Sequence, residues 1–168
     1  MRVLVVSDTH GRLDNLKRAL KAEKDLSFLI HCGDVEEQEE EVRAAAKIPC
    51  LIVRGNNDYS TRLAFDETVE LAGHRIFVTH GHRLGVSWDN GTLFQTARSH
   101  GAELAFYGHT HFPEIDRSHP LVTAANPGSL TFPRQDGRKP SYLIAELEEG
   151  RKPELFLHFL KRERGLFW

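Results

Sequence analysis

Asp8 and His10 stand two residues apart in the segment Ser7-Asp8-Thr9-His10-Gly11. A carboxylate and an imidazole at that spacing offer one oxygen and one nitrogen donor to a metal ion. A single pair of this kind is ordinary loop composition. Similar clusters recur along the chain as Gly33-Asp34, Gly55-Asn56-Asn57-Asp58, His80-Gly81-His82 and Gly108-His109-Thr110-His111. Their donors are carboxylates, imidazoles and amides, with no thiolate. That inventory suits Mn²⁺, Fe, Ni²⁺ or Zn²⁺ better than a structural zinc knot. The donors are too many for one ion and enough for two ions sharing a bridging carboxylate. No serine or cysteine sits in a nucleophile-like motif, so the chemistry points to the metals.

The elements that must position these clusters come next. Each cluster follows an apolar run. Residues 2–6, 26–31 and 50–53 read as buried strands, separated by helical patterns over 13–23 and 36–47. This β-α-β-α-β order predicts right-handed crossovers and parallel strands. Ligands of open α/β sheets bind at the carboxyl ends of such strands. Residues 67–71 and 75–79 read as a hairpin around Ala72-Gly73-His74, 92–100 as a helix and 102–107 as a further strand. Residues 59–65 read as a loop over the site. The last third has no helical pattern. Its short runs at 114–117, 121–125, 142–147 and 155–160 predict a largely antiparallel second sheet. Asn126-Pro127-Gly128-Ser129 reads as a turn. The acidic run Glu36, Glu37, Glu39, Glu40 and Glu41 reads as a solvated helical face, because adjacent carboxylates on a helix point different ways.

Composition excludes several classes. The chain has 168 residues, which predicts one domain spanning 1–168. A formal net charge of −2 leaves no basic footprint for nucleic acid. Cys32 and Cys50 cannot build a disulfide framework and read as small buried hydrophobes. No apolar run approaches the ~20 residues of a membrane span. The first residues already read as a strand rather than a signal peptide, so the expected location is cytoplasmic. His31, His74, His100, His119 and His158 fall outside the clusters and read as structural or surface residues. The apolar segment Gly165-Leu166-Phe167-Trp168 packs on the domain or on a second copy of the chain, which leaves a homo-oligomer open.

Asp-x-His, Gly-Asp, Gly-Asn-x-Asp, His and Gly-His-x-His, in that order, resemble the calcineurin-like metallophosphoesterase superfamily. The short length and the Asn126–Ser129 segment are similar to its small YfcE-like phosphodiesterase branch. The resemblance implies an α/β fold, a four-layer αββα sandwich of two mixed β-sheets with a dinuclear metal site at the strand ends. It implies that Asp8, His10, Asp34 and His111 hold one divalent ion, Mn²⁺ first. Asp34, Asn56, His80 and His109 would hold the second, with Asp34 as the bridge. Asp58 would orient a ligand or a catalytic neighbour.

One position departs from the pattern. Many members of the superfamily carry a histidine after the ligand asparagine, as general acid for the leaving group, and this chain has Asn57. An amide hydrogen-bonds an oxygen but delivers no proton near neutral pH. His82, beside His80, is the candidate replacement or else a phosphate contact. Asn57 and Arg134 are candidate substrate contacts, since a guanidinium fits phosphate bidentately.

The expected function is a metal-dependent phosphodiesterase on a small phosphoester, in which a metal-activated hydroxide attacks phosphorus in line. A phosphomonoesterase or nucleotide pyrophosphohydrolase on the same site is the first alternative. The second is a protein-interaction scaffold without catalysis, as in a eukaryotic retromer subunit that resembles this branch.

Overall fold

A strand apolar at consecutive positions must be covered on both faces. β1 (Arg2–Val6) is such a strand, and it sits at the middle of a five-stranded sheet. Its alternation sorts side chains into two layers. Val3 and Val5 enter the cluster between the two sheets, while Leu4 and Val6 face helices. The computed structural model describes residues 1–161. The apolar tail Gly165-Leu166-Phe167-Trp168 lies outside them.

β1 pairs in parallel with β2 (Leu26–His31), and β2 in parallel with β3 (Cys50–Ile52). α1 (Asp14–Ala22) and α2 (Glu39–Ala46) carry the two crossovers. They bury Leu16, Ala19, Val42 and Ala46 against Leu4, Val6, Leu29 and Ile52. The second sheet begins with an antiparallel hairpin of β4 (Asp66–Leu71) and β5 (His74–Thr79). After α3 (Gly91–Ser99), β6 (Leu104–Phe106) lies parallel to β5. β7 (Pro113–Asp116) and β8 (Thr123–Pro127) complete it in the order β4-β5-β6-β8-β7. Leu93, Phe94 and Ala97 of α3 pack on Phe77, Ala105 and Ala124 of that sheet. Ile76, Val78, Leu104, Phe106 and Ala125 point the other way and meet Val3, Val5, Ile30, Leu143 and Ala145 of the first sheet. The result is the four-layer sandwich of two mixed sheets. Each fully buried Val, Leu or Ile in the shared layer contributes about 1.5–3 kcal/mol.

Three expectations are corrected. The last third does not form a sheet of its own. β9 (Ser141–Glu146) and β10 (Glu154–Phe159) join the first sheet in the order β10-β9-β1-β2-β3. β9 is antiparallel to β1, and its consecutive apolar residues are covered on both faces, Leu143 and Ala145 by the second sheet and Tyr142 and Ile144 by the helix layer. β8, in contrast, runs parallel to β6. The second helix starts at Glu39 rather than Glu36, because Glu36 and Glu37 adopt left-handed φ values of 52° and 62°. Asn126 and Pro127 end strand β8 rather than forming a free turn, and Asn126 is fully buried. Cys32 is buried and Cys50 half-buried, both with free thiols. No described helix is long and apolar enough to cross a membrane.

Candidate metal centre

The strand-end loops are zipped to one another by main chain before any side chain matters. Asp8 N donates to Gly33 O at 3.1 Å and His10 N to Asp34 O at 3.0 Å. Gly108 N donates to His80 O at 3.2 Å. Such close approach excludes side chains at two glycines. A Cβ on Gly55 would lie 2.1 Å from Asp34 Oδ1, and one on Gly108 would lie 2.0 Å from Ser7 Oγ. Asp8, His10, Asp34, His109 and His111 all have positive φ, between 46° and 68°. Left-handed backbone is unfavourable for such residues, and its clustering marks a functional site.

Asp8, His10, Asp34 and His111 each offer one donor atom, and these atoms lie within 4.8 Å of one another. His111 Nε2 is 3.0 Å from Asp8 Oδ1, and His10 Nε2 is 3.8 Å from Asp34 Oδ2. On the other side of Asp34, His80 Nε2 is 3.5 Å from the same Oδ2. Asn56 Oδ1 lies 3.1 Å from His80 Nε2 and 2.9 Å from His109 Nδ1. The structure therefore brings together all seven residues expected to ligate, with Asp34 Oδ2 within 4 Å of a histidine from each group.

The polarity of these atoms fits divalent cations. His111 Nδ1 faces the Phe132 carbonyl at 2.9 Å, and His80 Nδ1 faces the Cys32 carbonyl at 2.6 Å. His10 Nδ1 faces Glu36 Oε1 at 2.6 Å. An Nδ1–H that donates outward leaves a neutral ring with its Nε2 lone pair aimed inward. When both rings are neutral, His10 Nε2 and His111 Nε2 confront each other at 3.3 Å with no proton to share. Asp8 Oδ2 accepts from His109 N, whereas its buried Oδ1 has no hydrogen-bond partner among the described residues. Lone pairs and an orphaned carboxylate oxygen converging on one volume match a cation and nothing neutral. Burial would raise the Asp8 carboxyl, but His111 and His80 outweigh it and hold the group below its usual range, and the carboxylates in turn raise both histidines, so that without an ion a proton on these rings takes the place a cation would fill. Burial opposes ionisation of Asp34 too, and hydrogen bonds from His80 and Asn57 overcome it.

The remaining candidates take different places. Asp58 accepts three backbone N–H bonds, from Asp34 at 2.9 Å, Glu36 at 2.6 Å and Gly55 at 2.7 Å. It pins the Asp34 and Asn56 loops rather than facing the centre. Asn57 donates from its backbone and side chain to Asp34, at 2.8 and 2.6 Å, and lines an open cleft of about 400 Å³ with Glu36, Glu37 and Tyr59. His82 lies beside His80, with ring centroids 5.4 Å apart. Burial, and then His80 and His109, push its pKa down to about 4. Arg134 is exposed at the rim, with its guanidinium on the Thr110 carbonyl at 3.5 Å.

Sequence reasoning missed several supports. The acidic run places Glu36 on a helical face, yet in the structure it orients His10. Ser129 Oγ donates to the Asp8 carbonyl at 2.9 Å, and Asn126 Nδ2 to the Gly108 carbonyl at 2.8 Å. The Phe132 ring lies 5.0 Å from that of His10. Nothing local announces these contacts, which join residues 18 to 122 positions apart. Of the histidines outside the clusters, His31 is buried between the Thr9 hydroxyl and the Gly33 amide. His74 bridges Glu103 and the Glu148 carbonyl.

Comparison with known proteins gives a consistent result. Residues 1–150 match the family model of the calcineurin-like phosphoesterase superfamily domain. A probable metallophosphoesterase of Bacillus subtilis, YsnB, is 37% identical over 152 residues, covering 88% of this chain and 85% of the relative. The phosphodiesterase YfcE of Escherichia coli is 30% identical over 166 residues, covering 84% and 85%. Among solved structures, Vps29 of Chaetomium thermophilum superposes with a TM-score of 0.81 at 20% identity, covering 98% of this chain and 91% of that one. At that identity the likeness concerns the fold.

Proposed function

Because the chain belongs to the calcineurin-like phosphoesterase superfamily, we propose that this metal-dependent phosphoesterase is a phosphodiesterase with a two-ion centre. One observation carries the reading: two buried carboxylates, Asp8 and Asp34, each come within 4 Å of both His10 Nε2 and His80 Nε2, and Asp34 Oδ2 makes the shorter approaches, 3.8 and 3.5 Å, as a bridging carboxylate would. Asp8, His10, Asp34 and His111 would hold one ion, and Asp34, Asn56, His80 and His109 the other, in a unit spanning 1–168. Divalent ions, Mn²⁺ first among them, supply polarisation of the phosphoryl oxygens and a water acidic enough to ionise near neutral pH.

The chain's own residues do the rest. Glu36 and the carbonyls of Cys32 and Phe132 keep three imidazoles in the tautomer with Nε2 unprotonated. Asp58 holds the backbone of the Asp34 loop. Asn57 fixes the Asp34 carboxylate and turns toward the open cleft, where it can donate to an ester oxygen. Arg134 at the rim suits a non-bridging phosphoryl oxygen. Burial keeps His82 neutral, which favours its reading as a phosphate contact over general acid. Esters with good leaving groups are then the preferred substrates, and the likeness to YfcE, named as a phosphodiesterase, supports the diester.

Purified protein with Mn²⁺ should hydrolyse bis(p-nitrophenyl) phosphate at least tenfold faster than p-nitrophenyl phosphate. Equal or greater monoester turnover would transfer the reading to a phosphomonoesterase.

A further inference from the structure

We propose that Arg54, Phe65 and Arg83 form a subsite for a second phosphate group of the substrate, next to the metal centre on its His82 side. The proposal rests on the phosphoester reading above and adds a substrate class to it. Three rings lead outward from the centre. His82 lies 5.4 Å from His80 and 6.1 Å from His109, and Phe65 lies 5.9 Å from His82, all between centroids. Over the Phe65 ring sit two guanidiniums, Arg54 at 4.8 Å and Arg83 at 4.4 Å. Stacking on an aromatic face fixes a guanidinium while leaving its in-plane N–H donors free.

Other arginines of this chain show what an ordinary arrangement looks like. Arg2 is paired with Glu23 and Glu146, Arg43 donates to the Cys50 carbonyl, and Arg151 pairs with Glu148. Neither Arg54 nor Arg83 makes an ion pair with a carboxylate among the described residues. Arg54 Nε is buried with no acceptor at all among them. A buried donor without an acceptor is unfavourable, and two like charges held on one ring add repulsion. An anion held by the outer N–H groups of both guanidiniums offsets the repulsion. Phosphate is the best match, since it carries several acceptor oxygens and charge enough for two guanidiniums. The placement is built into the backbone. Arg54 N donates to Ala64 O at 2.7 Å, which sets Phe65 beside the strand end that carries Asn56. Arg83 lies on the 3₁₀ turn His82–Leu84, directly after His82.

The test is isothermal titration of the Mn²⁺-loaded protein with thymidine 3′,5′-bisphosphate and with thymidine 5′-monophosphate. The bisphosphate should bind at least tenfold tighter, and the ratio should fall to near one in both Arg54→Gln and Arg83→Gln. Arg83 is exposed, so its variant keeps the test decisive if Arg54→Gln fails to fold. A ratio near one in the unaltered protein, or a preference that survives both substitutions, would overturn the subsite. Hydrolysis of bis(p-nitrophenyl) phosphate, measured in parallel, separates the two readings. A bisphosphate preference without any hydrolysis supports the subsite and removes the diesterase.

Discussion

At the scale of single residues, the centre depends on groups that never face it. His10 is instructive, because its φ of 46° is unfavourable for a non-glycine residue and its ring is set by one carboxylate. Glu36 Oε1 accepts a hydrogen bond from Nδ1–H at 2.6 Å, and this directs Nε2 inward as a lone pair. Glu36→Gln keeps the shape but no longer offers a charged acceptor. Outer partners of ligating histidines are worth roughly 10–100-fold in metal affinity, so Mn²⁺ binding should weaken by that order. Titration calorimetry of the metal-free protein would measure it. Unchanged affinity would show that His10 is either not a ligand or held by other means. The donors themselves were legible from residue type and spacing, because carboxylates and imidazoles two apart at strand ends have few other uses in such numbers. Glu36 was not, since its neighbours Glu37 to Glu41 match a helical acidic face, and only the left-handed φ at Glu36 and Glu37 removes both from the helix.

At the scale of elements, β1, β2, β5 and β6 announced themselves as apolar runs, and the loops that follow them as sites. Their partners did not. β9 carries the same consecutive apolar run whether it pairs with β1 or with β8, and the choice depends on cover supplied by α1 and α2 far away in sequence. The segment after β8 shows the consequence for function. Ser129 donates to the Asp8 carbonyl and accepts from Thr131 N at 3.1 Å and Phe132 N at 2.8 Å, so one hydroxyl fastens the loop of β1 to that of β8. Thr131 Oγ1 adds a bond to the Thr9 carbonyl at 2.6 Å. In sequence this is only a Pro-Gly turn. Ser129→Ala leaves a fully buried carbonyl and two amides short of partners, which costs about 1–3 kcal/mol. The metal-free variant should therefore melt several degrees lower, at ~2–4 °C per kcal/mol for a chain of this size. A melting point equal to the unaltered protein's would mean that the loop does not need this clasp.

At the scale of the whole molecule, the centre joins the two sheets at one end of the sandwich. Asp8, Asp34 and Asn56 follow strands of the first sheet, and His80, His109 and His111 follow strands of the second. Without an ion, that edge holds two buried carboxylates, inward-facing imidazole lone pairs and five left-handed non-glycine residues. Each such conformation costs on the order of 1–2 kcal/mol, and the unfolded chain carries none of this strain. An ion that binds only the folded chain stabilises it by mass action, about 2.7 kcal/mol at a hundredfold excess over the dissociation constant. Mn²⁺ at that excess should raise the unfolding midpoint by roughly 5–10 °C, and chelation should reverse the rise. Asp34→Asn decides whether the two halves form one centre. If Asp34 bridges, its loss weakens both sites and removes most of the shift, although the metal-free variant melts near the metal-free parent because the hydrophobic layers are untouched. If Asp34 serves one ion only, about half of the shift should survive. A midpoint indifferent to Mn²⁺, Fe²⁺, Ni²⁺ and Zn²⁺ in the unaltered protein would exclude a metal centre that spans the sheets, and with it the phosphodiesterase mechanism.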